Sequence, residues 1–224
     1  MTNQLNLQVV TQEGSYQALI AVNRLTCLGY TGRDQAKVMA HIEELARIGV
    51  KPPTAVPAVY QVPPGRASTG NSITVAAETT SGEVEGVLVL NGQKVFVAVG
   101  SDHTDRRLEA EDVPKAKAIC PKVLSPRVWD FDEVKGHWDQ LIIRSWVTDD
   151  KGRRLYQEDR LQSLLDPQRA LAEAGDSTPG HLIFCGTAPV RGEVSYAQAW
   201  ELQLEDPVLN RSLEHTYVVK VNKP

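Results

Sequence analysis

The sequence feature that most constrains the fold is the dipeptide Asn91-Gly92, which separates two runs rich in valine and other apolar residues. Asn-Gly between such runs is the strongest short-range signal for a β-hairpin with a two-residue turn. We therefore predict strands over residues 83–90 and 94–100, paired antiparallel.

The register of this hairpin brings three carboxylates together. With a two-residue turn Glu83 pairs with Gly100, and Asp102 lies diagonal to Glu83 at roughly 7–8 Å between backbones. Alternate residues of a strand face the same side, so Glu83, Glu85 and Asp102 share one face. Three carboxylates so close repel one another unless a cation lies between them.

All-oxygen ligation suits a hard metal ion. The triad therefore predicts Mg²⁺, with Mn²⁺ or Ca²⁺ as possible substitutes. The alternative is a strand whose solvent face happens to carry acids, and geometry alone leaves both interpretations open, since short motifs often match by chance. His103 follows Asp102 directly, and adjacent strand residues point apart, so His103 is expected behind the site or at the surface.

The N-terminal part of the chain predicts two short strands around Glu13-Gly14 and then a helix over residues 34–50. The apolar stripe of this helix comprises Val38, Ile42, Leu45 and Ile48. A proline-rich connector follows it. We divide the chain into residues 1–65, with the N-terminal strands and a lid helix, and residues 66–224, a metal-binding catalytic domain rich in strands.

The remainder of the chain is predicted to be dominated by strands. A short helix is expected over residues 106–117, interrupted around Pro114. Further strands are expected over residues 141–147, 182–185, 200–204 and 217–221, and short helices over residues 161–165 and 168–173. The fold class is therefore α+β and strand-dominated.

Composition excludes several classes of protein. The formal net charge is −4, and the small local excess of lysine does not make the concentrated basic surface that nucleic acids require. The three cysteines are odd in number and widely spaced, which favours neither a disulfide framework nor a thiolate metal site. No segment has the apolar length that crosses a bilayer, and no signal peptide is recognisable. The expectation is a cytoplasmic protein that binds neither nucleic acid nor membrane.

Four motifs, in order along the chain, resemble the fumarylacetoacetate-hydrolase superfamily. Residues 81–89 (SGEVEGVLV) resemble its Glu-x-Glu strand, and residues 100–106 (GSDHTDR) resemble its Asn-Asp-x-Ser-Ala-Arg-Asp segment. Residues 153–157 (RRLYQ) and 180–189 (GHLIFCGTAP) are similar to its glutamine segment and its closing Gly-Thr-Pro signature. The resemblance implies a mixed β-sandwich or roll with a small N-terminal helical lid region, and a homodimer.

The chain departs from the family pattern at positions that face substrate. Arg107 stands where the family usually has Asp, Glu109 stands near its Gln, and His181 replaces an Asp. The metal triad is unaffected by these changes. The substrate is therefore left open.

The resemblance also implies a histidine–glutamate pair on the lid helix. His41 and Glu44 have the family's spacing, and residues three apart share a helical face, so Glu44 can orient His41 as a catalytic base. The alternative is a histidine packed at the edge of the core beside a solvated glutamate. Arg33, in the turn before the helix, is a candidate for binding a substrate carboxylate; its alternative is an ordinary turn and cap.

Other site residues follow from the resemblance alone. Lys115 or Lys117 corresponds to the lysine that the family places beside its metal, and the sequence does not choose between them. Arg106, Gln157 and Thr187 are expected to contact substrate.

The chemistry that the resemblance implies is cleavage of a carbon–carbon bond in a 1,3-dicarbonyl or acylpyruvate-like 2-oxo acid. His41 would activate a water, and an enolate would leave with its charge stabilised by the divalent ion. Two alternatives remain open. One is a metal-dependent decarboxylase or tautomerase of a 2-oxo acid, and the other is a non-catalytic relative that binds an organic acid.

Overall fold

The computed structural model describes residues 3–47, 51–175 and 178–222. The predicted strand-dominated α+β class is confirmed. The strands are β1 (Asn3–Thr11), β2 (Gly14–Val22), β3 (Arg24–Gly29), β4 (Ala58–Val62), β5 (Ala67–Ser68), β6 (Ser72–Val75), β7 (Thr80–Ser81), β8 (Val84–Asn91), β9 (Lys94–Asp102), β10 (Thr104–Asp105), β11 (Lys122–Leu124), β12 (Arg127–Asp130), β13 (Ile142–Asp149), β14 (Gly152–Arg160), β15 (His181–Thr187), β16 (Ala199–Asp206) and β17 (Arg211–Val221). The α-helices are α1 (Gln35–Arg47), α2 (Arg106–Glu109), α3 (Val113–Ile119), α4 (Phe131–Val134) and α5 (Pro167–Ala174), and 3₁₀ turns lie at Pro64–Arg66, Lys135–Gln140 and Leu161–Ser163.

Two sheets form the body of the molecule. The larger has ten strands, in the order β2-β1-β12-β9-β8-β15-β3-β4, with β11 pairing both β9 and β5. The smaller has five strands, in the order β14-β13-β16-β17-β6. Strands from both sides of residue 65 therefore lie in the larger sheet, and the division of the chain at that residue stays a prediction.

Strand β8 lies in the middle of the larger sheet and is buried on both faces. Val87 and Val89 pack into one hydrophobic cluster with residues of β1, β2 and β3. Leu88 and Leu90 pack on the opposite face into a second cluster, which includes residues of the smaller sheet. This two-sided burial explains why β8 is a continuous apolar run without polar alternation.

The smaller sheet shows the opposite pattern. Buried and partly exposed residues alternate along β13 and β16, as expected for strands with one face on a core. Trp200 and Leu202 of β16 are among the buried side chains that join the second cluster. The β8–β9 hairpin is thus packed between two hydrophobic layers.

The hairpin itself is correctly predicted, but its register is wrong by two residues. Asn91 pairs with Lys94, so Gly92 and Gln93 form the turn, with Gly92 at φ +65°. The two-residue turns that match the twist of paired strands need a positive φ at their first residue. Glycine adopts a positive φ without steric cost, so Gly92 takes this position. Because the error is two residues, every side chain keeps its predicted face.

The helices begin at aspartate caps, whose side chains accept hydrogen bonds from backbone N–H groups of the first turn. The Asp34 side chain accepts a hydrogen bond from Lys37 N at the start of α1, and Val38 and Ile42 are the buried part of its stripe. The predicted end of this helix at residues 48–50, and the side chain of Leu45, lie outside the described part. The predicted interruption around Pro114 separates α2 from α3. Among the described helices, none has the length and apolar character to cross a membrane.

Candidate functional site

The three predicted carboxylates converge at the open end of the β8–β9 hairpin. Asp102 N donates a hydrogen bond of 3.0 Å to Glu83 O, so Asp102 lies directly opposite Glu83 instead of diagonal to it. One carboxylate oxygen each from Glu83, Glu85 and Asp102 lies within 4.8 Å of the other two. Side chains at this spacing can bind one hard, oxygen-preferring ion, and Mg²⁺, Mn²⁺ and Ca²⁺ all fit this donor set.

Glu85 is held at the back of this cluster by a glycine. Gly186 N donates a hydrogen bond of 2.7 Å to Glu85 Oε2. Gly186 has φ +101°, and a Cβ added there would lie 1.8 Å from Thr31 Oγ1, so no other residue fits. Burial and the charge of Asp102 raise the pKa of Glu85 well above its usual value. Among the described residues no lysine or arginine pairs with this carboxylate, which makes it the one that most needs a bound cation.

Asp102 is enclosed by two lysines. Lys117 Nζ lies 2.5 Å from Asp102 Oδ2, and Lys122 Nζ lies 2.9 Å from Asp102 Oδ1. Burial opposes ionisation of Asp102, but the two lysines outweigh it and hold its pKa well below the usual range. Lys115 is exposed on the same helix as Lys117. The structure therefore brings Lys117, and not Lys115, to the triad.

Arg106 forms the third cationic contact of the cluster. Its guanidinium lies 3.0 Å from Glu83 Oε1 and 2.7 Å from Glu109 Oε2. Burial raises the pKa of Glu83, but Arg106 and Lys117 outweigh it and lower that pKa below its usual value. Arg106 Nε is buried without a hydrogen-bond partner among the described residues. Arg106 thus lies beside the triad residue Glu83, and its predicted contact with substrate stays a prediction.

His103 lies behind the triad and is fully buried. This is the first of the two positions expected from the sequence, and the surface position is wrong. Its ring nitrogens lie 3.1 Å from Tyr217 Oη and 2.9 Å from Thr80 Oγ1. Burial lowers the pKa of His103 to about 3, so the imidazole is neutral. Tyr217 also bonds Ser101 Oγ, which accepts a bond from Glu83 N. This network connects the hairpin to the smaller sheet.

Gln157 and Thr187 support the hairpin from its other edge. Gln157 Oε1 accepts hydrogen bonds from Val84 N and Ser145 Oγ, and its amide nitrogen donates to Thr187 Oγ1 and Ala188 O. Thr187 Oγ1 in turn donates to Val84 O at 2.8 Å. Their predicted substrate contacts stay predictions, since both polar groups are used here to fix the backbone beside Glu83.

Arg33 lies on the wall of a cleft of about 400 Å³ that Tyr30, Pro57 and Arg169 also line. Its guanidinium makes a two-bond contact with Asp139, at 2.8 and 2.5 Å, and its Nε donates to Leu164 O. Binding of a substrate carboxylate by Arg33 stays a prediction, and it would require competition with Asp139.

His41 and Glu44 are paired on α1 but lie on its exposed surface. His41 Nδ1 is 3.9 Å from Glu44 Oε2, and the side chains are 61% and 70% exposed. Among the described residues no contact joins either of them to the triad. The predicted dyad therefore has its internal spacing but makes no contact with the carboxylates within the described part of the chain, and its catalytic role stays a prediction.

Sequence reasoning missed two groups beside the triad. Lys122 belongs to the small local excess of lysine in the sequence, and nothing in a three-residue strand indicates that it pairs with β9. Tyr60 lies with its ring centre 5.7 Å from Lys117 Nζ, and burial raises the pKa of Tyr60 to about 12. The approach of Tyr60 to Lys117 depends on the pairing of β3 with β4, which the sequence does not predict.

Comparison with solved structures supports the fold. A yeast protein, ynq8, described as a fumarylacetoacetate hydrolase family protein, matches at 15% identity over 91% of this chain and 95% of its own, with a TM-score of 0.61. A 2-keto-3-deoxy-D-arabinonate dehydratase complexed with magnesium and 2,5-dioxopentanoate matches at 19% identity, covering 96% and 79% of the two chains, with a TM-score of 0.61. The 4-oxalocrotonate decarboxylase of Pseudomonas putida G7, complexed with calcium and acetate, matches at 14% identity, covering 88% and 76%, with a TM-score of 0.55.

Comparison with curated sequences finds a partial likeness to the chaperone protein ClpB 1 of Synechocystis sp., 31% identical over 122 residues. The match spans 54% of this chain and only 14% of that relative. A family model described as "Protein of unknown function (DUF2848)" matches residues 28–217, which is most of the chain. The chain therefore belongs to that DUF2848 family, and its fold is that of the fumarylacetoacetate-hydrolase type.

Proposed function

We propose that the chain is a metal-dependent enzyme acting on a carboxylated 2-oxo or 1,3-dicarbonyl compound, with Glu83, Glu85 and Asp102 as ligands of Mg²⁺. The observation that carries the proposal is the convergence of three buried or half-buried carboxylates within 4.8 Å. Negative charges brought so close together raise the free energy of the folded protein unless a cation or a proton is shared among them.

The residues around the triad suit an anionic substrate. Arg106 and Lys117 both lie beside Glu83, with little exposed surface of their own. Their positive charges favour the approach of a carboxylate and fix the ligand side chains in place. A bound divalent ion supplies stabilisation of the negative charge that develops on a substrate carbonyl oxygen.

Carbon–carbon hydrolysis is the first candidate reaction. It requires a base that removes a proton from water as the water adds to the distal carbonyl carbon. His41 is the candidate base: its Nδ1 faces Glu44, so Nε2 would take the proton. Because this pair is exposed, hydrolysis further requires that α1 moves toward the carboxylates when substrate binds.

Decarboxylation or tautomerisation is the second candidate, and the exposure of His41 favours it. Neither reaction needs a delivered water. Decarboxylation breaks the bond to the carboxyl carbon, releases carbon dioxide and leaves an enolate that takes up a proton, whereas tautomerisation moves a proton between carbon and oxygen through an enolate; both depend on stabilisation of the enolate charge. A dehydratase and a decarboxylase are among the proteins that share the fold. Product analysis separates the candidates: two carboxylated fragments indicate hydrolysis, whereas carbon dioxide or an isomer indicates the second candidate.

The experiment that tests the proposal is a calorimetric titration of Mg²⁺ and Mn²⁺ into chelator-treated protein, with and without oxalate. A Glu83→Gln/Glu85→Gln variant should lose stoichiometric binding. Glu111→Gln, which changes an exposed glutamate, should retain it. The proposal fails if the wild type binds no metal even with oxalate. A 2-oxo acid that binds with metal but is never consumed would identify a non-catalytic organic-acid-binding protein.

A further inference from the structure

The contact between Lys122 and Asp102 is fixed by strand pairing. Strand β11 pairs antiparallel with β9 so that Lys122 lies directly opposite Asp102. Lys122 Nζ donates to His103 O at 2.5 Å and lies 2.9 Å from Asp102 Oδ1. The side chain has no exposed surface. Strand pairing therefore fixes the backbone of Lys122 opposite Asp102, and the side chain is enclosed there without exposed surface.

Lys117 differs from Lys122 in how it is held. It reaches Asp102 from helix α3 and also approaches Glu83 Oε2 at 3.5 Å, with 8% of its side chain exposed. The backbone of Lys117 is not paired with β8 or β9. Its side chain can therefore change its contacts when a ligand binds. Each oxygen of Asp102 thus has its own lysine, and only one of the two lysines is fixed by the sheet.

These contacts have opposite consequences for the protein with and without metal. Without metal, Lys122 neutralises a buried carboxylate that would otherwise be costly to ionise. With metal, the same positive charge lies within a few ångströms of a second cation and repels it. Fixed repulsion of this kind weakens metal binding, and an anionic ligand that joins the metal relieves it.

We propose that Lys122 is a built-in counter-cation: it holds Asp102 in place before metal binds, and it keeps metal affinity low until an anionic ligand binds with the metal. Lys122 is a positioning residue in this account, and the account rests on the proposed metal site. It assigns to Lys122 a role that is separate from that of Lys117.

The test is Mn²⁺ calorimetry and thermal unfolding, at one pH, on wild type and Lys122→Gln. Glutamine can still donate a hydrogen bond but carries no charge. We expect the metal-free variant to melt roughly 10 °C below metal-free wild type. We also expect it to bind Mn²⁺ at least about tenfold more tightly without oxalate, and to depend less on oxalate. Lys122→Arg should restore wild-type affinity, and exposed Lys115→Gln should change neither quantity.

The outcomes distinguish this inference from the proposed function. Equal or weaker Mn²⁺ binding by Lys122→Gln, while wild type binds normally, overturns the inference alone. Absence of Mn²⁺ binding in wild type even when oxalate is present overturns both. A variant that folds only when Mn²⁺ is added supports the inference, because the metal then replaces the missing charge. A variant that stays unfolded in saturating Mn²⁺ overturns it.

Discussion

The carboxylate triad and helix α1 belong to the same candidate site, yet different kinds of contact hold them. Glu85 and Asp102 lie on strands whose register is fixed by two hydrophobic layers, and each carboxylate has a buried partner. His41 and Glu44 lie on a helix of which Val38 and Ile42 are buried, and both side chains are exposed. The comparison teaches that the positions of the carboxylates are fixed by the sheet, whereas the positions of the His41 and Glu44 side chains are not fixed by packing.

Substitution of Asp102 should cause the largest loss of stability in the protein. Asp102→Asn leaves Lys117 and Lys122 without their shared counter-charge. We expect the free energy of unfolding to fall by about 3–5 kcal/mol, and Mn²⁺ binding to be lost. Urea unfolding and calorimetry measure the two effects. Asp150→Asn, at an exposed aspartate, is the control, and equal stability of the two variants would contradict the expectation.

Gly186→Ala should have the next largest effect. The added Cβ would meet Thr31 Oγ1 at 1.8 Å, and the positive φ disfavours alanine, so the bond to Glu85 is displaced. We expect a loss of about 3 kcal/mol in the free energy of unfolding. Gly192→Ala shares a positive φ but meets nothing within 4 Å, and should cost only about 1 kcal/mol. Similar losses in both variants would show that Gly186 is not sterically special.

The buried histidine should make stability depend on pH. The folded-state pKa of His103 is about 3, below the value of an unfolded histidine, so its stabilising contribution is complete above pH 6.5 and is lost as pH falls toward 3. Between pH 7 and pH 5 wild type should lose about 2 kcal/mol that His103→Gln does not lose. Urea unfolding of both proteins at the two pH values checks this, and parallel pH dependence would contradict it.

Substitution of His41 should have the smallest effect on stability. It is also the most informative test of whether helix α1 carries the base. His41→Ala removes an exposed side chain, so the free energy of unfolding should change by less than about 0.5 kcal/mol. If His41 is the base, kcat should fall by roughly 10²-fold or more while metal binding is unchanged. Glu43→Ala, at the adjacent exposed glutamate, should retain activity. Unchanged kcat in His41→Ala would exclude hydrolysis through this residue and favour the second candidate reaction.

The sequence was sufficient for the parts of the molecule that local patterns encode. The Asn-Gly signal locates the hairpin. The predicted register is wrong by two residues, but the three carboxylates still share one face because a shift of two residues preserves the side-chain face. The separation of α2 from α3 follows from the cap Asp112 and from Pro114. Each of these features depends on residues close together in the chain.

The features that the sequence did not predict depend on pairing between distant segments. Lys122 reaches Asp102 through a three-residue strand, too short to give a periodic pattern. The two uses of Gln157, on Val84 and on Ala188, depend on how β14 meets the larger sheet. The exposure of His41 could not be read from a helical wheel, because a wheel shows which face is apolar but not what lies opposite that face.

The position of β15 in the larger sheet has a consequence for synthesis of the chain. This strand lies between β8 and β3 and hydrogen-bonds to both, so it joins the β8–β9 hairpin to the N-terminal strands. A nascent chain on the ribosome therefore cannot complete the sheet until the segment ending at residue 187 has emerged. Until then β3 and β8 present unpaired edges, and we expect this period to be the one in which the protein most needs a chaperone.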